Sequence, residues 1–209
     1  MAGALNYNRY PQFEMSEIIH ELEFGFRSNQ SLKPLKKGDS VPNFIFEKNN
    51  FRWQQFINGV EKHSTVQLLQ LLNKPLVIAF YSSQWQLHSL NMLKQLDELQ
   101  FRIKSANANL LIVSSEREKQ LEKTVWDNCL SLSFYYDIEK LIAEKFGIYS
   151  ETDPVWDKFS GIDTNIPLLA TYVISSQGKI LFDHVDWDFS EGLPTDELIS
   201  SIIGSRTTT

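Results

Sequence analysis

The chain has 209 residues, of which 42% are apolar and 22% charged, the composition of a folded domain with room for one sizeable core. Its formal net charge of −6 argues against nucleic acid or an anionic membrane surface as a partner, and no apolar run is long enough to span a bilayer. The start, "MAGALNYNRYPQF", lacks the basic flank and apolar stretch of a secretory leader, so a cytoplasmic location is expected; the single cysteine, Cys129, leaves no partner for an internal disulfide and no cysteine-based metal cluster.

In chain order, residues 1–35 read as an appendage. Ile18, Leu22 and Phe26 share one helical face and Ser16 can cap its start; "NQSLKPLKKGDSVPNF" then reads as a linker with two prolines. From Lys36 onward a second unit, 36–209, alternates strands and helices. Phe44–Phe46 predicts a short strand and Thr65–Leu72 a short apolar helix or turn. Leu76–Tyr81 is apolar on both faces, as a buried parallel strand is. Leu90, Leu93, Leu96 and Ile103 trace a helix face, Leu110–Val113 is a second buried strand, and Glu116–Asn128 is a charged helix. Phe134–Tyr136 is short and extended, and Ile138–Phe146 is a helix ended by Gly147. Thr171–Ser175, "SQG" and Lys179–Phe182 signal a hairpin. Pro194 and Thr195 open a last helix with Leu198, Ile199, Ile202 and Ile203 on its apolar side. This order predicts a three-layer α/β/α domain with a mixed central sheet, Leu76–Tyr81 and Leu110–Val113 being neighbours at its centre.

The order of elements is that of the thioredoxin fold, and several stretches resemble its peroxiredoxin branch, the alkyl hydroperoxide reductase/thiol-specific antioxidant family. "KKGDSVPNFIFE" is similar to that family's Gly-Asp-x-x-Pro-x-Phe opening, and "FYSSQWQLHSLNML" to its active-site strand and helix. "LLIVSSE" resembles the next strand, "FYYDIEKLIAEKFGIY" the Asp…Phe-Gly segment, and "NIPLLATYVISSQGKILFDHVD" the late hairpin. The resemblance runs from about Lys36 to Ile203. It implies a peroxide- or disulfide-reducing ancestry.

The departures fall on the chemistry. Where the family carries Trp-Cys-Pro-x-Cys, this chain has Trp85, Gln86, Leu87, His88 and Ser89, so Gln86 and Ser89 stand at the two cysteine positions. A cysteine at a helix N-terminus ionises readily from its usual pKa of about 8.5, and its thiolate attacks peroxide or disulfide. Glutamine and serine have no comparable redox ladder. Leu169 replaces the proline that relatives carry before Ala-Thr; a cis bond there would cost about 2.5–4 kcal/mol without proline, so a trans bond is expected.

Other residues are weaker candidates. Ser89 has only the adjacent His88 as a base, and neighbouring helical residues point apart; Ser83 or Ser89 as a turn or cap residue is the better reading. Gln86 and Ser89, three apart, are expected on one helix face. Cys129 lies at a helix C-terminus, where the dipole disfavours a thiolate, and reads as a small residue in a partly buried junction. Asp183, His184, Asp186 and Asp188 in "DHVDWDFSEG" are metal-capable types, but a solvated acidic loop is the stronger reading, and neither metal nor cofactor is expected. Trp53, Trp85, Trp126, Trp156 and Trp187 read mainly as core or domain-edge packing. Two functions remain. One is a redox-inactive binding module for a protein, peptide or small thiol such as glutathione, with Trp85, Gln86, His88, Ser89 and Leu169 at the site and a homodimer as a further option. The other is an oxidoreductase using Cys129 or a partner's thiol.

Overall fold

The computed structural model describes residues 32–47, 56–57, 60–61, 65–116, 118–189 and 192–205. The helical face of Ser16, Ile18, Leu22 and Phe26, and Trp53, lie outside the described residues. Strands β1 (Ile45–Phe46) and β4 (Val66–Gln67) pair antiparallel, as do β2 (Phe56–Ile57) and β3 (Val60–Glu61). A short helix α1 (Leu68–Leu71) leads to β5 (Leu76–Tyr81). There follow α2 (Gln86–Ser105), β6 (Asn109–Ser114), α3 (Glu118–Asp127), β7 (Phe134–Tyr136) and α4 (Leu141–Lys145). The hairpin β8 (Ala170–Ile174) and β9 (Ile180–Val185) and helix α5 (Thr195–Gly204) complete the chain.

The main sheet has the order β7-β6-β5-β8-β9. Strands β6 and β7 run parallel to their neighbours, and β8 and β9 antiparallel. The two apolar runs are therefore central neighbours, with Ile78 opposite Leu111. All six residues of β5 are buried, because helices cover both faces. Side-chain alternation separates the layers. Thr171 faces α2, its hydroxyl meeting the Met92 sulfur at 3.7 Å. The next residue, Tyr172, points the other way into Phe80 and Phe146, which continue through Phe44 to Phe46. Helices α2 and α5 touch one another on the first face. This is a three-layer α/β fold of thioredoxin type.

Some boundaries differ from those the sequence suggests. The charged helix begins at Glu118, so Glu116 is not helical but buried in the turn before it. The helix expected over 138–146 is only Leu141–Lys145. The cause is Asp137, whose carboxylate accepts the amides of Ile142 (2.9 Å) and Ala143 (3.0 Å), and Lys140, which is left-handed at φ 57°. Gly147 ends that helix as expected, at φ 68°, with Ile148 N bonded back to Ala143 O. The chain also joins the body before Lys36. Leu32 is buried with its amide on Asp153 Oδ2 at 2.8 Å, and Leu35 N donates to Phe146 O. No peptide bond among the described residues is cis, so the Leu169 bond is trans.

Candidate functional site

Strand β5 ends at Tyr81, and a single 3-10 turn over Ser83–Trp85 delivers the chain to α2. Ser82 is the cap: its hydroxyl accepts the Gln84 amide at 3.3 Å. Gln86 then takes φ 50° and ψ −124°, outside the helical region and disfavoured for a residue with a Cβ. This backbone defeats the three-residue spacing rule. Gln86 faces solvent, whereas Ser89 is fully buried and donates its hydroxyl to Gln86 O at 3.0 Å. The two do not form a shared surface.

A buried carboxylate holds the turn from below. Glu116 accepts the Ser82 hydroxyl at 3.1 Å and the Ser83 amide, and Gln120 Nε2 reaches Ser83 Oγ at 3.0 Å. The second Glu116 oxygen has no hydrogen-bond partner among the described residues. Beside it, burial and then the Glu116 charge push the Tyr81 phenol up to about 12, against hydrogen bonds with Thr124 and Ser89 that pull it back. So the ground beneath the turn is a buried network of Tyr81, Ser82, Ser89 and Glu116. Its hydroxyls are committed to structure, and none is aimed at solvent as a nucleophile.

Above the turn lies a cluster of rings. Trp85 is buried and its indole donates to Pro167 O at 2.8 Å. Phe159 meets it edge-on at 5.0 Å and Phe189 at 5.2 Å. Exposed His88 lies against Phe189 at 4.4 Å, and Trp187 stacks on Phe159 at 6.5 Å. Leu169 is buried, and its carbonyl accepts the Asp186 amide at 2.9 Å, which ties the loop after β9 to the start of β8. Of the sequence candidates, the fold gathers Trp85, Gln86, His88, Ser89 and Leu169 at one end of the sheet.

It leaves Cys129 elsewhere. Cys129 N bonds to Trp126 O and Leu130 N to Val125 O, the double bond pattern that closes a helix with a left-handed residue. Cys129 is that residue, at φ 53°, and it is exposed rather than partly buried. Gln120, which touches the turn, and Cys129 are nine positions apart, about 14 Å along a helix. The reading of the tryptophans also needs correction: Trp126, Trp156 and Trp187 are 72%, 47% and 42% exposed. Among the described residues no three His, Cys, Asp or Glu side chains are placed to hold a metal. Asp186 instead accepts the Phe189 amide at 2.8 Å, and burial pushes its carboxyl up while His184 and His88 pull it down.

Sequence reasoning missed Glu116, Phe159 and Phe189. Glu116 carried a usable signal, since it stands two residues past a buried strand, where a polar side chain is aimed at the sheet end. Phe159 and Phe189 lie in loops without periodicity, and nothing local marks them as neighbours of Trp85.

The AhpC/TSA family matches residues 38–182. No curated protein sequence matches. Among solved structures, the chain is similar to the peroxidoxin BcpB of Mycobacterium tuberculosis, with 18% identity and a TM-score of 0.57 over 84% of this chain and 99% of that one. It is also similar to the reduced 2-Cys peroxiredoxin of Plasmodium vivax (17%, TM-score 0.59, 83% of each chain). A putative thiol:disulfide interchange protein DsbE from Chlorobium tepidum matches at 16% and a TM-score of 0.54, over 82% of this chain and 98% of that one. These likenesses carry the fold, and the family match spans most of the chain: the protein belongs to the AhpC/TSA family.

Proposed function

We propose that this protein is a redox-silent member of its family, and that the end of the sheet that carries sulfur chemistry in relatives serves here to recognise a protein or peptide segment. The observation that carries this reading is the head of α2. Gln86 stands where the first cysteine would, on a strained backbone, with its amide side chain in solvent. Strain of this kind costs about 1–3 kcal/mol and is held only where surrounding structure imposes it. The side chain offers both a donor and an acceptor. Leu87, 64% exposed, follows it, and Trp187 supplies an exposed ring one contact removed from Trp85. Exposed apolar area beside paired polar groups is what a recognition surface needs.

Ser89 has no place in that surface, because it is buried and its hydroxyl is used. The alternative of a thiol enzyme built on Cys129 gains nothing from the geometry. That thiol sits at the negative end of α3 and far from the turn.

The test is a panel of extended peptides and glutathione, read by thermal shift and tryptophan fluorescence. Wild type should bind one class of peptide, and Gln86→Ala/Trp187→Ala should lose that binding without a change in fold. Equal binding by the double variant would remove the recognition role from this end of the sheet.

A further inference from the structure

Beside His88, with Phe189 of the ring cluster in its wall, a cavity of about 170 Å³ opens between α2, the β8–β9 hairpin and the described residues that follow β9. Its polar walls come from three elements: His88, Asn91 and Gln95 on α2, His184 on β9, and Asp186 just beyond it. Met92, Leu169 and Leu193 supply the apolar part. The arrangement is fixed rather than incidental. Asp186 is anchored through its backbone to Leu169 O and through Oδ1 to the Phe189 amide. His184 is the cross-strand partner of Thr171, which lies at the cavity floor.

The chemistry of this lining is one-sided. Among the described lining residues the one fixed charge is the Asp186 carboxylate, and none is a lysine or arginine. A neutral imidazole has an acceptor nitrogen, and the Asn91 and Gln95 amides each have an acceptor oxygen. An anion would meet a carboxylate with no fixed cation to offset it. A compact cation with several N–H groups would meet acceptors on three sides, and its tail would meet methionine and leucine.

We propose that this cavity is a binding site for a small primary ammonium compound with a short apolar tail, the ammonium on Asp186 between His88 and His184. The site stands apart from the surface at Gln86, which does not line it. Burial pushes the Asp186 carboxyl up and the Phe189 amide pulls it back; a bound ammonium would likewise favour the ionised form.

The probe is n-butylammonium chloride, with sodium butyrate as the control of opposite charge. Binding is followed by the histidine ring resonances in NMR on the full chain. The expected result is saturable shifts of the His88 and His184 rings with the ammonium and none with butyrate. Asp186→Asn keeps the Oδ1 acceptor for Phe189 and hence the loop, and it should weaken ammonium binding at least about tenfold, the effect of losing one charge-assisted hydrogen bond. Asn91→Trp, at an exposed helix position, should block binding by filling the mouth. Gln86→Ala should leave it unchanged, which separates this site from the peptide surface. Preference for butyrate, no saturable shift at tens of millimolar ammonium, or unchanged affinity in Asp186→Asn would overturn the proposal. So would tight zinc uptake by His88, His184 and Asp186, which would assign the cavity to a different ligand class.

Discussion

At the scale of single residues, the informative position is Gln86. Its φ of 50° with ψ of −124° is a conformation that glycine adopts at little cost and other residues do not. The side chain is exposed, so its loss removes little packing. Gln86→Gly should therefore be more stable than Gln86→Ala by about 1 kcal/mol in chemical denaturation. Equal stabilities would mean that the turn is relaxed in solution. Tyr81, below it, gives a pH prediction. Its phenol titrates near 10 when unfolded and is pushed up to about 12 in the fold. The folded state thus holds the proton more tightly across that window. Stability is present below pH 10 and falls as pH rises toward 12. Tyr81→Phe should flatten that alkaline loss, read as the change in melting temperature between pH 9 and pH 11.5. A loss of the same steepness in the variant would place the effect elsewhere, with buried Tyr172, also raised by burial, as the next residue to substitute.

At the scale of elements, helix ends decide the local path. Three of them close on a left-handed residue: Asn107 after α2, Cys129 after α3 and Gly147 after α4. Only the glycine is forced by its surroundings. A Cβ at Gly147 would lie 2.0 Å from Lys33 O, because the incoming chain crosses the end of α4 there. Gly147→Ala should cost about 3 kcal/mol in a denaturant melt, whereas Gly38→Ala, with open space around it, should cost about 1 kcal/mol from its positive φ alone. Comparable losses at both sites would argue against the crossing. This contrast also shows what a sequence yields. Buried strands such as Leu76–Tyr81 announce themselves by unbroken apolar runs, and Gly147 marks its helix end. The shortening of α4 could not be read, because it depends on Asp137 turning its carboxylate onto two amides instead of solvent. Ser89 falls on the buried face with Met92, Leu93 and Leu96, but the turning of Gln86 away from it rests on a backbone conformation that no periodicity encodes.

At the scale of the molecule, the chain keeps the scaffold of its family. The five-stranded sheet, the turn and the helix that follow it need only apolar patterning and caps, and these are present in the sequence. Gln86 and Ser89, at the head of α2, carry no sulfur. Three features of the fold support the proposal of a redox-silent protein: Ser89 is buried with its hydroxyl on Gln86 O, one Glu116 oxygen holds the Ser82–Ser83 turn, and Cys129 stands at the far end of α3. The direct measurement is hydrogen peroxide and insulin-disulfide turnover by purified protein supplied with excess dithiothreitol. Background rates are expected for wild type and for Cys129→Ser alike; thiol-dependent turnover well above background that disappears in Cys129→Ser would show a working thiol enzyme instead of a redox-silent protein.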